Sequence, residues 1–403
     1  MFSRRDFLKS TTAFAVASPA ITKFARAVGM PGVTDTEIKV GQTMPYSGPA
    51  SAYGMIGRAN LAYVRMINDQ GGINGRKINL ISLDDGYSAP KTVEQTRRLV
   101  EVENVAFIHS SLGTATNLAI RGYLNTARIP QLSILAGAAT FNDPEHFPWT
   151  VPGNFQYRTD AHILTKQILL SNPESKIALI YQNDDFGRDY LQGVKETLGL
   201  DRALLLVRAI SYEVIEPTID SQIISLQSSG ADTLIIAATP KPAAQAIRKT
   251  YDIGWAPTRY MSFISASIPA VLKPAGLEKS KDVATAATLK DPSDPTWADD
   301  PEMKNYVAFM EKYLPGVGYT DFYATSGYSY AENLINLLKK CGSDLSRENI
   351  LNQATNIKEF RNSLGLPGVT INITPNDYNP YHQARLQRFS GESWKLFGDV
   401  VSG

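Results

Sequence analysis

Val105-Ala106-Phe107-Ile108-His109-Ser110-Ser111-Leu112-Gly113-Thr114-Ala115-Thr116-Asn117 is the stretch on which the reading of this chain turns. Its first residues are short, apolar and β-branched enough for a buried strand. From Ala115 to about Ala127 the pattern becomes helical. A strand that ends in small hydroxyl residues and glycine, then opens a helix, leaves free N–H groups and the positive end of a helix dipole at one spot. An anionic ligand group fits there. The next strand, Gln131 to Leu135, runs into a similar loop, Ala136-Gly137-Ala138-Ala139-Thr140. In an open parallel sheet both loops fall at the carboxyl ends of neighbouring strands, where such folds bind ligands.

The same alternation extends in both directions. Strands are expected at 38–43 and 77–83, with helices at 51–68 and 89–103. The glycines of Gln70-Gly71-Gly72-Ile73-Asn74-Gly75 suit a helix end that needs positive φ. After Phe147-Pro148-Trp149 the pattern restarts, with strands at 176–182, 203–210, 232–238, 260–264 and 282–289. In the intervening helix Ile219, Ile223 and Leu226 share one face. Alternation of this kind gives parallel sheets with crossover helices, here in two successive sets. The acidic, proline-rich run Asp291 to Asp300 reads as a solvated loop without calcium-ligand spacing. Helices at 303–314 and 324–340 and short strands at 369–373, 383–389 and 394–397 complete the chain.

Bulk properties exclude several functions. At 403 residues the chain is long enough for two domains, and its formal net charge of +1 gives no pull toward nucleic acid. A single cysteine, Cys341, rules out an internal disulfide and a cysteine-pair metal site. His109, His146, His162 and His382 have no ligand-type spacing, so neither a metal nor a cofactor is expected. The first strand-turn-helix lacks G-x-G-x-x-G, and neither a G-x-S-x-G elbow nor a P-loop occurs, which argues against an enzyme. At the amino terminus Ser3-Arg4-Arg5-Asp6-Phe7-Leu8-Lys9 follows the twin-arginine export pattern, and Ala25-Arg26-Ala27 reads as its cleavage site. Residues 1–27 are therefore expected to be a signal peptide, and the mature chain to be periplasmic.

Six segments, in order, resemble a known family: Ser47-Gly48-Pro49-Ala50-Ser51-Ala52-Tyr53-Gly54; Asn68 to Gly75; Asp84-Asp85 with Pro90-Lys91; Gly113 to Thr116; Tyr181 to Gly187; and Asp252-Ile253-Gly254-Trp255. The family is that of the periplasmic substrate-binding proteins of branched-chain amino-acid ABC transporters, the leucine/isoleucine/valine-binding type. The resemblance covers nearly all of the mature chain. It implies an α/β, two-lobed Venus-flytrap fold, each lobe a mostly parallel sheet flanked by helices. Residues 34–154 with 286–364 would form one lobe, and 155–285 with 365–403 the other.

The resemblance also implies the site. Thr114 would hold a ligand carboxylate through its hydroxyl and N–H, Ala138 through its N–H, and Thr140 through its hydroxyl. Tyr53 would lie over the ligand, Phe186 would add a ring from the second lobe, and Tyr323 would stand near another aromatic wall position. The chain departs from the family at two places. Ile264 falls where amino-acid-binding members carry a glutamate for the α-ammonium, and Thr239, Pro240 or Lys241 lies where a tyrosine is expected. Burying an ammonium without a carboxylate partner costs several kcal/mol. The implied function is thus the solute-binding component of an ABC importer, a monomer without cofactors. It would take a small carboxylate ligand, branched or aromatic, in preference to a plain α-amino acid. Its partners would be permease and ATPase subunits of the inner membrane, with no nucleic acid. A sensory-receptor subunit is the alternative, and a hydrolytic enzyme a remote one. Lys241 either reaches the cleft toward a second acidic group or is a solvated lysine at a helix start.

Overall fold

The computed structural model describes residues 30–403, so the twin-arginine segment lies outside the described residues. Five strands make the first sheet: β1 (Glu37–Met44), β2 (Lys77–Asp84), β3 (Phe107–His109), β4 (Gln131–Ile134) and β5 (Thr150–Pro152). All pair in parallel in the order β2-β1-β3-β4-β5. β1 and β2 run in register from Glu37↔Lys77 to Met44↔Asp84, and Val40 of β1, Phe107 of β3, Leu132 of β4 and Val151 of β5 are buried. Such two-sided burial is what a parallel sheet under helices requires.

The chain then builds β6 (Ile177–Gln182), β7 (Leu206–Tyr212), β8 (Thr233–Ala237), β9 (Thr258–Met261) and β10 (Ala284–Ala287). These are followed by β11 (Ile357–Phe360), β12 (Ile371–Ile373), β13 (Gln383–Phe389) and β14 (Trp394–Ser402). The second sheet has the order β14-β13-β10-β9-β8-β6-β7. Its five parallel strands repeat the arrangement of the first sheet, and β13 and β14 are added antiparallel. β11 and β12 form a separate two-stranded ribbon. The fold is therefore two-lobed α/β. In each lobe the first and third strands of the set are neighbours, and crossovers leave them in opposite directions. That switch point is where open sheets gather ligands.

Three segments connect the lobes. One follows β5 and leads into the helix Tyr157–Ser171; another follows β10; the last precedes β13. The second and third are tied together: Lys290 N–H donates to Leu364 O at 2.8 Å, and Leu366 N–H to Thr288 O at 3.0 Å. Between them the helix Phe322–Cys341 packs against the helix Gly54–Asp69. Close approach there depends on Gly327, where a Cβ would come within 2.4 Å of Ile56 O. Asn60 Nδ2 takes up the Gly327 carbonyl at 2.6 Å.

Several local expectations are corrected. The helix read from residue 89 becomes a π-type turn at Arg98–Val102, and Ala203–Leu205 is a 3-10 turn before β7. The strand read as 260–264 ends at Met261 because Ser262 leads into a turn, Phe263–Ser265. The run Asp291 to Asp300 is a solvated loop only in part: Pro295, Thr296, Ala298 and Asp299 are exposed. Asp291 and Asp294 are buried, and Lys290 Nζ, also buried, pairs with Asp300 Oδ2 at 2.6 Å. Asp294 and Asp300 cap the short helices that follow, so their charges serve backbone N–H groups.

Candidate functional site

The carboxyl ends of the strands in both sheets converge on one cavity of about 60 Å³. From the first lobe come Tyr53 after β1, Tyr87 after β2, Leu112 and Gly113 after β3, and Leu135 after β4. The second lobe brings Tyr157, Phe186, Phe263 and Ile264, and the helix Phe322–Cys341 adds Phe322, Tyr323, Ser326 and Tyr330. Asn154, Thr288 and Leu289 come from the connecting segments. No lining side chain is charged.

The opening loop is built as its sequence suggests. Gly113 is the N-cap of the helix Thr114–Thr126 at φ +104, a backbone region open to glycine. A Cβ there would also meet Tyr87 at 2.8 Å. Most of the loop's polar side chains are committed internally. Ser111 Oγ accepts from Thr43 N–H at 3.0 Å, Thr116 Oγ1 donates to Leu112 O at 2.5 Å, and Asn117 Nδ2 donates to Ser111 O and Gly113 O at 3.0 and 2.7 Å. Ser110 and Thr114 are the exceptions. Ser110 Oγ and Thr114 Oγ1 are both buried without a hydrogen-bond partner, and no side chain caps the helix that Thr114 opens. An uncapped helix start with a spare hydroxyl is suited to an anion.

The aromatic wall is interlocked. Tyr53 and Tyr323 meet edge-to-face at 5.0 Å, as do Tyr157 and Phe186 at 4.7 Å. Tyr323 Oη donates to Ile264 O at 3.0 Å across the cleft, and Tyr330 Oη donates to Asn154 Oδ1 at 2.8 Å. Tyr53 Oη, by contrast, is buried with no partner. Burial pushes the Tyr53, Tyr87, Tyr157 and Tyr323 phenols above their ordinary range, so they stay neutral donors. For Tyr157 the Gly137 N–H and the Thr114 hydroxyl act in the opposite direction, but burial prevails. The Thr114 hydroxyl is near that phenol without forming a hydrogen bond to it.

The residues singled out in the sequence divide into two groups. Tyr53, Phe186, Ile264 and Tyr323 stand on the cavity wall, with Thr114 directly after the lining residue Gly113. Ala138, Thr140 and Thr239 do not. Ala138 is buried away from the cavity, and Thr140 is exposed, its carbonyl accepting from Arg121 Nη1 at 2.8 Å. The anion-friendly turn they belong to is filled by the protein itself: Ala139 N–H donates to Asp189 Oδ2 at 2.6 Å. Asp189 comes from the other lobe and is paired with Arg158 at 3.0 Å. Thr239 Oγ1 is engaged by Tyr212 Oη and Gln182 Oε1, both at 3.2 Å. Asp184, two residues before Phe186, is likewise committed, accepting from Gln182 Nε2 and Gly187 N–H.

Tyr87, Tyr157, Phe263, Phe322 and Tyr330 were not singled out in the sequence. Tyr87 carried a usable signal, since it follows Asp84-Asp85-Gly86 at the end of a strand, the position from which walls converge.

Comparisons with known proteins agree with this architecture. The chain is 26% identical over 263 residues to Leu/Ile/Val-binding protein homolog 7 of Brucella abortus, a match spanning 62% of this chain and 64% of that protein. A branched chain amino acid ABC transporter protein from Thermus thermophilus, solved with bound valine, superposes with a TM-score of 0.83 at 15% identity, over 92% of this chain and 98% of the other. A fatty acid ABC transporter substrate-binding protein from Thermomonospora curvata superposes with a TM-score of 0.73 at 20% identity, over 93% and 94%. At these identities the two structures speak to the fold alone. The model of the periplasmic binding protein family matches residues 37–393, and the chain belongs to that family.

Proposed function

We propose that this protein is the solute-binding component of an ABC importer and that its ligand is a compact carboxylic acid with a branched or aromatic body. The observation that supports this reading is an aromatic, uncharged wall that includes Ile264, the residue that the resemblance aligns with the glutamate of amino-acid-binding members. The acid end would meet Thr114 Oγ1, the Tyr53 phenol and the uncapped helix start, three features without internal partners. Hydrogen bonds to an ionised acceptor are roughly twice as strong as neutral ones. That strength offsets the burial of one carboxylate but does nothing for an ammonium. The small volume of about 60 Å³ favours a compact body over a long chain.

In this reading residues 1–27 direct export through the twin-arginine route, and the chain works as a periplasmic monomer. The lobes are residues 34–154 with 286–364, and 155–285 with 365–403. They close on the acid and present it to permease and ATPase subunits. Ala138, Thr140 and Thr239 support the loops around the site but do not touch the ligand. The test is the small molecule that co-purifies with the protein from its native host, identified by mass spectrometry after denaturation. A monocarboxylic acid without an amine is expected. Co-purified leucine, isoleucine or valine would overturn the reading.

A further inference from the structure

Outside the aromatic cavity, at the mouth between the lobes, lies a second and larger chamber of about 480 Å³. Gly48, Pro49, Ser51 and Ala52 bound it on one side, and the start of the helix Pro240–Asp252 bounds it on the other. Two cations line it, Lys241 and Arg248, and no carboxylate does. Both are exposed, and Arg248 Nη2 donates to the Pro274 carbonyl, which fixes the guanidinium at the rim.

The neighbouring acids are occupied elsewhere. Asp220 is held by Lys249 at 3.1 Å and Asp252 by Lys279 at 2.5 Å. Asp84, which accepts from Ser47 beside Gly48, is paired with Lys91 at 2.8 Å. Burial alone would raise the Asp84 pKa, but Lys91, Ser47 and backbone N–H groups outweigh it and hold the carboxyl well below the usual range. Asp84 therefore stays ionised with its charge already matched. The opposite rim of the cleft is different: there Arg158 pairs with Asp189 and Arg188 with Asp185, leaving no surplus charge.

Chamber and cavity share a wall. Ala52 and Ala270 line the chamber and pack against the cluster containing Tyr53 and Tyr323. The turn Ser51–Tyr53 thus has Ser51 and Ala52 facing the chamber and Tyr53 facing the cavity.

We propose that this chamber is an encounter site for anions, in which Lys241 and Arg248 collect the ligand's carboxylate before the Ser51–Tyr53 turn admits it to the uncharged cavity. The assignment to the transported ligand rests on the acid reading above; the anion site itself does not. Residues 1–27 carry five basic residues and one acid, so the chain without them has a net charge of −3 and its overall field does not draw an anion; a local pair of unmatched cations at the mouth then governs the approach. Steering of this kind raises on-rates and fades as salt shortens the Debye length.

The test compares the full chain with the double variant Lys241→Gln/Arg248→Gln. Stopped-flow tyrosine fluorescence with benzoate gives association and dissociation rates at roughly 10 mM and roughly 1 M salt, where the Debye length is about 30 and 3 Å. Titration with inorganic phosphate is followed in parallel by NMR of the lysine side chains. The expected result is an on-rate roughly three- to tenfold lower in the variant at low salt, at the bottom of the range for steering, with equal rates at high salt and equal off-rates. Phosphate should shift Lys241 in the native chain. Equal benzoate on-rates in the two proteins at low salt would overturn the proposal while leaving the acid reading standing. If benzoate does not bind, phosphate decides the anion site: a Lys241 response upholds it and no response overturns it, while the acid reading is tested separately by the molecule that co-purifies.

Discussion

Thr114 has one of two hydroxyls in its loop, with Ser110, that the fold does not use, and it is the one at the helix start; a buried hydroxyl without a partner is costly unless a ligand supplies one. Thr114→Val keeps the shape and removes the oxygen. It should weaken binding of an acid by about 1–3 kcal/mol in isothermal titration, with the melting temperature little changed. Ile264 decides the other end of the ligand. Ile264→Glu places a carboxylate in the aromatic wall, and should raise leucine affinity by roughly tenfold or more while costing acid affinity by a like-charge clash. Loss of affinity for both ligands would mean that the position does not face the ligand.

A third residue links the site to pH. Asp160 is fully buried beneath the wall residue Phe263, hydrogen-bonded to the Tyr190 hydroxyl, with Oδ1 unpartnered. Burial pushes its pKa up to about 7, against the pull of Tyr190 and the Phe263 N–H. Because the folded value lies above the unfolded one, its contribution to stability is complete below about pH 4 and is lost as pH rises to about 7. Asp160→Asn should therefore abolish a fall of about 2–3 kcal/mol between about pH 5 and 8. Asp291, raised to about 6, and His109, lowered to about 4, both by burial, titrate in both proteins. Denaturant melts of the pair at the two pH values isolate Asp160 by difference, and parallel curves would show that it is not protonated in the fold.

At the scale of elements, the loops after the strands do the work, and they also show how much the sequence could reveal. The Ser110–Asn117 loop was legible because strand, glycine and helix start are contiguous, so one local pattern contains the whole device. Its twin at Ala136–Thr140 is likewise built mostly of small residues but has a different fate. Asp189, fifty residues further on, occupies the Ala139 N–H, and no local pattern announces that. Likewise Tyr157, Phe263 and Tyr330 converge only once two sheets and a long helix are assembled. The run Asp291 to Asp300 misled in part because its charges are spent on helix caps and on the buried Lys290. Among cross-lobe contacts the Tyr323 hydroxyl is the simplest to remove. Tyr323→Phe deletes its bond to the Ile264 carbonyl and keeps the ring against Tyr53. The closed form should lose about 1 kcal/mol, read as a roughly fivefold faster ligand release in stopped flow. An unchanged off-rate would place that bond outside the closing step.

For the whole molecule, the decisive feature is that one strand order is built twice and the two switch points face each other. This was visible in the sequence as two rounds of strand and helix. The order of the strands and the two antiparallel additions, β13 and β14, were not, since pairing partners are set by tertiary packing. Facing switch points joined by three short segments make a cleft that a hinge can close. What distinguishes this cleft is its chemistry: aromatic, uncharged inside, with Ile264 on its wall. The most direct test of that claim is isothermal titration of the chain with leucine and with a benzoate and cinnamate series. Binding of an acid, with leucine weaker by at least about a hundredfold, is the predicted result, since an unpaired buried ammonium costs several kcal/mol. Tight binding of leucine with no heat from any of the acids would contradict it.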